Sequence, residues 1–374
     1  RPSYIVNWRD IETPVAPHGL GEMFGFASEL AHASGMTHLR VAHLRIPPGL
    51  RAYPPVAMRD DEVFFIVLAG APDFWADGYV HRLREGDGVW LNARTGIGHS
   101  VLNNCDADVC ILAFTEGQRH TSRAVHPVDK AANENLASLG KLWTDPPKRK
   151  RGPHDGQTDA MRGAPSPKGA RKKTLPDFAM NWRDILEKDE GGYPGSSEKH
   201  GIDARFGRRA RFSRIGVHLE ILKPGRRTSR PHAERDEEEF VYVVSGSVDA
   251  WNDGYITKMD AGDFIGWEAG TGITHVIMNN SDEDAVLIVG GEAGRRNNQF
   301  WYPFHRAYNK EIGALYWADH PVPKLGPHDG LSDAMRAAAK AKPKPKAKAK
   351  KSAPAKKQKA KKQTAKKQKP KSRR

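Results

Sequence analysis

The chain repeats itself, and a duplication limits the fold more than any other feature, because each copy must close a core of its own. GPHDGQTDAMR at 152–162 returns as GPHDGLSDAMR at 326–336, and NWRDI at 7–11 returns at 181–185, both 174 residues later. WADGYV (75–80) returns as WNDGYI (251–256), and RTGIGHSVLNN (94–104) as GTGITHVIMNN (270–280), now 176 residues apart. That second offset holds without a gap from Pro48 and Pro224 to Asn104 and Asn280. The 374 residues therefore divide into a first unit (1–162), a Pro/Gly/basic linker (163–174), a second unit (175–336) and a tail (337–374).

Each unit reads as strands. EFVYVVSGSVDAW (239–251) is built of β-branched and aromatic residues broken by a glycine. Asp253-Gly254 then offers the positive φ of a tight hairpin before Tyr255-Ile256-Thr257. AGDFIGW (261–267), GITHVIMNN (272–280) and DAVLIVGG (284–291) continue at the short, even spacing of a sandwich or jelly-roll barrel. Helical periodicity is confined to edges such as Asp329 to Ala339, where Ser332 is placed to cap a short helix.

The second copy places His232, Glu234, Glu239, Gly246, His275 and Asn279 in a spacing that resembles the two signature motifs of the cupin superfamily. They read PG (224–225), HAERDEEEFVYVVSG (232–246) and GDFIGWEAGTGITHVIMN (262–279). The resemblance implies an all-β chain: two tandem double-stranded β-helix (cupin, jelly-roll) barrels, a bicupin, often holding a divalent metal between the sheets. It departs from the common pattern at one ligand position, where Glu234 stands for a second histidine. Residues two apart on a strand face the same way, so His232 and Glu234 are expected to point together, with Glu239 and His275 arriving from other strands. The expected metal ligands are thus His232, Glu234, Glu239 and His275. Two imidazoles and two carboxylates suit Fe(II) or Mn(II). The bland alternative is a solvated acidic rim formed by His232 and Glu237-Glu238-Glu239.

In the first copy the same positions are Val56, Met58, Val63 and His99. Valine and methionine do not hold a hard cation, so this barrel is expected to be metal-free and His99 to be a hydrogen-bonded core residue. Glu62 neighbours a ligand position, but a one-residue shift on a strand turns it away. Because His154-Asp155 and His328-Asp329 recur identically in both units, they read as ties for each unit's C-terminal segment; Trp8 and Trp182 of the NWRD pair read as packing anchors. Around the second barrel Arg214, Arg230, Trp251, Trp267 and Tyr302 are candidates to reach a ligand.

The charge sits at one end. The chain carries +15, whereas residues 337–374 contain 18 Lys and Arg and no acid, which leaves −3 on the remainder. The tail resembles the Lys/Ala/Pro tails of histone H1-like proteins; its composition predicts disorder. Such a polycation binds phosphate backbones without reading bases, or merely solubilises. Two cysteines, Cys105 and Cys110, supply no disulfide framework. The opening residues lack a secretory pattern and apolar runs such as Val63 to Leu68 are too short to span a bilayer, so a cytoplasmic protein is the expectation. There is no Walker, Rossmann or GxSxG motif. Two functions remain. One is a metal-dependent enzyme on a small organic substrate, with oxidoreduction of the dioxygenase kind favoured over decarboxylation, isomerisation or lysis. The other is a non-catalytic ligand-binding or scaffold cupin, held at nucleic acid by its tail. Association into a homo-oligomer is compatible with either.

Overall fold

The computed structural model describes residues 1–15, 22–117, 122–193, 196–293 and 297–341. The tail call therefore falls largely outside the described residues. Its first residues are helical, because the terminal helix Asp333–Ala341 runs past 337.

Both repeats are β-sandwich barrels. The first has a sheet ordered Ala179–Asn181, Asp87–Leu91, Val63–Ala69, Val109–Glu116, Leu39–Ile46, Phe26–Glu29 and Thr13–Pro14. Opposite it lies a sheet ordered His99–Leu102, Asp73–Ala76, Tyr79–Arg82 and Arg171–Lys172. The second pairs Ile5–Asn7, Asp263–Trp267, Glu239–Ser245, Ala285–Glu292, Ile215–Leu222 and Ile202–Ala204 in one sheet. Tyr255–Asp260, Ser247–Asn252 and His275–Met278 form the other. The expected hairpin is there: Asp253 and Gly254 take φ of 47° and 90°, and Asn252 opposes Tyr255.

Strand alternation builds three cores from one pattern. In Val63–Ala69, Phe65 and Val67 fill the first barrel, whereas Phe64 and Ile66 face outward into a core shared by both barrels. In Glu239–Ser245, Val241 and Val243 fill the second barrel while Phe240 and Tyr242 join that shared core. Strands buried on both faces explain why these segments read as continuous apolar runs rather than alternating ones.

The sheets do not respect the repeat boundaries. Ile5–Asn7, from the first unit, pairs with Asp263–Trp267 of the second, and Ala179–Asn181 pairs with Asp87–Leu91 of the first. Each unit thus lends its opening strand to the other's sheet. Asn7 donates to Asp263 at 2.7 Å and Asn181 to Asp87 at 2.8 Å, pinning the two exchanged strands alike. Trp8 and Trp182 are indeed anchors, but on the opposite repeat: their backbone N–H groups donate to Gly262 and Gly86. The linker is not free either, for Ala170 is buried and Arg171–Lys172 extends the first barrel beside Tyr79–Arg82.

A second reciprocal contact lies beneath the shared core. The Glu238 carboxylate accepts from the backbone N–H groups of Thr37, His38 and Leu39 at 2.7, 3.0 and 3.0 Å. Glu62, its counterpart, accepts from those of Ser213 and Arg214 at 2.9 and 3.0 Å. Glu62 therefore turns away from the first barrel's interior, as strand parity required. The acidic-rim reading fails for Glu238, which is only 1% exposed.

The His-Asp pairs prove to be ties. His154 and His328 accept the indole N–H of Trp75 and Trp251 through their carbonyls, at 3.0 and 2.9 Å. Their Nδ1 atoms accept from Gly156 and Gly330, while Asp155 and Asp329 hold Arg162 and Arg336. Ser332 caps the terminal helix by accepting from the Met335 N–H.

Candidate metal centre

His232 and His275 are neighbours across an antiparallel bridge, exchanging backbone hydrogen bonds at 3.2 and 2.8 Å. Glu239 opens a strand of the other sheet, where it pairs with Trp267. These three side chains offer ligand atoms that all lie within 4.8 Å of one another. His275 Nε2 is 3.0 Å from Glu239 Oε2, and His232 Nε2 is 3.8 Å from the same oxygen.

The tautomers follow from the other edge of each ring. The Nδ1–H of His232 donates to the Arg230 carbonyl at 2.9 Å, and that of His275 to the Ile273 carbonyl at 3.1 Å. Both rings then turn Nε2 to the carboxylate. A neutral Nε2 lone pair facing a carboxylate oxygen at 3.0 Å is repulsive, so something positive must sit between or on them. A proton serves, and so does a metal ion: bonds of about 2.1 Å at right angles put neighbouring donors about 3 Å apart. Among the described residues no lysine or arginine pairs with Glu234 or Glu239. Donor set, tautomer and spacing all fit a divalent cation.

Burial alone would lower the pKa of His232, but the carboxylates of Glu234 and Glu239 outweigh it and hold it at about 9. For Glu239 burial acts to raise the pKa, and the hydrogen bond from His275 with the charge of the imidazoles brings it below the usual carboxylate range. The site thus keeps a proton that a cation would displace.

Aromatic rings set the orientation. Trp267 stacks on His275 with centroids 4.0 Å apart, and its indole N–H donates to Asn252 at 2.7 Å. Tyr302 stacks on His232 at 5.5 Å. Neither role was fixed by sequence, since strand parity says which face a residue takes and not which ring it meets. The other candidates point elsewhere: Arg214 to Glu116, Arg230 between the rings of Tyr193 and Tyr308, and Trp251 into the His328 tie.

Glu234 departs from expectation. Its Oε1 is 3.6 Å from His232 Nε2, but it lies outside the cluster of three. Asn298, unnoticed in the sequence, donates to Glu234 at 2.8 Å and to Glu237 at 3.0 Å, drawing the Glu234 carboxylate toward its own loop. Parity placed Glu234 on the correct face, and a partner 64 residues away set its reach.

The first barrel keeps the scaffold without the cluster. Val56 and His99 form the bridge that His232 and His275 form in the second. His99 is buried, its Nδ1–H donates to the Ile97 carbonyl at 3.3 Å, and burial lowers its pKa to about 4. It is a neutral core histidine.

Strand order defines two tandem double-stranded β-helix barrels, and the second carries the His232, Glu239 and His275 cluster. Residues 218–290, which carry the whole cluster, match the family model described as "Cupin domain". A search of curated proteins finds no match. Among solved structures, the oxalate decarboxylase of Lactobacillus farciminis in its formate complex is similar over 82% of this chain and 89% of that one. Its identity is 15% and the TM-score 0.49. Bacillus subtilis oxalate decarboxylase, described with Mn(II) centres, is similar over 79% of this chain and 78% of that one, at 14% identity and TM-score 0.47. Likenesses of that size say nothing about substrate. No helix among the described residues is long and apolar enough to cross a membrane.

Proposed function

We propose that this chain is a divalent-metal-dependent enzyme acting on a small, oxygen-bearing organic molecule, with its reactive centre in the second barrel and the first barrel as a brace. The observation that carries this reading is the convergence of two fixed Nε2 atoms and one carboxylate on a point to which no lysine or arginine among the described residues is paired. His232, Glu239 and His275 would hold the metal. Two imidazoles and one carboxylate leave positions free for substrate and a second reactant, the donor set of non-haem Fe(II) oxygen chemistry, which favours oxidoreduction of the dioxygenase kind. When bound, the ion would polarise an oxygen of the substrate. Glu234, held by Asn298 beside His232, is the carboxylate placed to take or return a proton at the substrate. Trp267, Tyr302 and Phe300 wall the site and keep the imidazoles from turning.

The Lys-rich tail is a separate element in this reading, a sequence-independent phosphate binder that locates the protein and takes no part in the chemistry.

The test is metal content and open coordination. Full-length protein loaded anaerobically with Fe(II) is compared with His232→Ala/Glu239→Ala. The wild type is expected to hold at least one equivalent that the variant loses, and nitric oxide is expected to give it a high-spin iron–nitrosyl resonance. A variant that holds as many equivalents as the wild type would overturn the assignment. Binding without a nitrosyl signal would mean a closed, structural ion and leave a ligand-binding cupin.

A further inference from the structure

A second cluster of metal-ligating side chains lies inside the same barrel. His218 and Glu220 share the strand Ile215–Leu222, and Asp203 lies opposite Glu220 on Ile202–Ala204. Register fixes their face. His218 opposes Val289 and Glu220 opposes Leu287, both in the core of the second barrel, whereas Val217 and Leu219 go to the core between the barrels. The row that holds His218 and Val289 continues to Val241, two residues from Glu239 and on its face. The two clusters therefore look into one interior. His218 keeps 31% of its side chain exposed and Glu239 27%, so the barrel is not filled at this end.

The side chains of the cluster are paired by charge but not by hydrogen bonds. His218 Nε2 is 3.6 Å from Glu220 Oε2 and 3.9 Å from Asp203 Oδ1, beyond hydrogen-bond reach in both cases. The three ligand atoms nevertheless lie within 4.8 Å of one another. Arg205 takes the other oxygen of Asp203 at 2.6 Å, leaving Oδ1 to the cluster. Glu220 is 3% exposed, and its Oε1 has no hydrogen-bond partner. Gly201 leaves room for that oxygen, since a Cβ there would stand 2.0 Å from it. A buried carboxylate is costly unless cations answer it, and His218 faces only its Oε2 edge, leaving Oε1 on the Gly201 side without a partner.

The duplication supplies an internal control. In the first barrel the corresponding residues are Ala27, Ala42 and Leu44. The fold needs none of the three polar groups, and only the barrel that carries the first cluster has them. We infer that Asp203, His218 and Glu220 form a second divalent-cation site in the second barrel, of one imidazole and two carboxylates, suited to Mn(II) or Fe(II). The inference goes beyond the first centre and does not depend on it.

Full-length protein is stripped with chelator, dialysed against Mn(II) and assayed for bound metal. The wild type is expected to hold two equivalents. His218→Ala/Glu220→Leu installs the first barrel's own residues and is expected to hold one. His232→Ala/Glu239→Ala is expected to hold one also. A single wild-type equivalent that survives the His218/Glu220 exchange overturns the second site. A single equivalent lost on that exchange but kept by His232→Ala/Glu239→Ala supports the second site and removes the first. No binding by the wild type overturns both. Should circular dichroism show the double exchange misfolded, Asp203→Ala is used, with a tenfold or greater loss of affinity at one of two sites expected, and unchanged affinity at both overturning the inference.

Discussion

Replacing Glu238 by glutamine tests whether the barrels are held by carboxylates received across their interface. One carboxylate oxygen accepts from Thr37 N–H at 2.7 Å, and the other from His38 and Leu39 N–H at 3.0 Å each. Glutamine has nearly the same shape but only one oxygen. The amide keeps its oxygen on His38 and Leu39, so its NH₂ faces the Thr37 N–H: that bond is lost, the two kept bonds lose their charge, and Thr37 Oγ1, 3.2 Å from the carboxylate oxygen, can accept from the amide instead. The Thr37 N–H is only partly buried and recovers part of its cost from water. Hydrogen bonds to charged groups are worth about 1.5–3 kcal/mol and a stranded buried donor costs about 1–3, so a loss of about 2 kcal/mol is expected. At about 2–4 °C per kcal/mol for units of this size, the midpoint of thermal unfolding should fall by about 4–8 °C. Differential scanning calorimetry of Glu238→Gln beside the exposed control Glu268→Gln reads this directly. A Glu238→Gln midpoint within 2 °C of the control would refute the reasoning, because it would mean that water or a rearranged loop satisfies those donors equally well.

Acid should destabilise the fold through buried neutral histidines. Burial lowers His43 and His99 to about 4, so the unfolded chain binds more protons between pH 6.5 and 4, and stability present above pH 6.5 is lost as pH falls through that window. At pH 5 each accounts for about 2 kcal/mol; urea midpoints at pH 7 and pH 5 should differ less for His99→Leu than for the wild type, and equal differences would reject this. Gly262 and Gly35 have φ of 95° and 94°, but a Cβ at Gly262 would stand 2.9 Å from Trp8 Nε1 while one at Gly35 meets nothing within 4 Å. Gly262→Ala is therefore expected to speed amide exchange in Ile5–Asn7 well beyond Gly35→Ala, and matched exchange would show that the strand is not anchored there. For the tail, eight lysine–phosphate contacts would give a slope near about −7 of log K against log salt on duplex DNA; retention independent of salt, or equal after removal of residues 342–374, would remove it as a phosphate binder.

Much of the molecule was legible in order along the chain. The duplication announced two barrels, and strand parity with the spacing from His232 to His275 placed three convergent side chains and turned Glu62 away. Comparing the repeats separated residues that serve the fold (His154, His328, Trp8, Trp182) from those that equip one barrel. The second cluster lay in that same comparison, as three apolar residues facing three polar ones, but no motif spacing marks Asp203, His218 and Glu220 as neighbours.

What the sequence by itself determined is whatever local periodicity and self-comparison encode: strand faces, turn chemistry, and the difference between one copy and the other. What only the tertiary structure decided is which long-range partner each face meets. The exchange of opening strands depends on an energy difference between two identical-looking edges, and nothing in NWRDI says whose sheet it joins. Asn298 drawing Glu234 aside, and Glu238 reaching across to Thr37, His38 and Leu39, are likewise contacts between residues far apart in the chain. Such pairings are set by the packing of finished sheets, so they exist only once the barrels have closed.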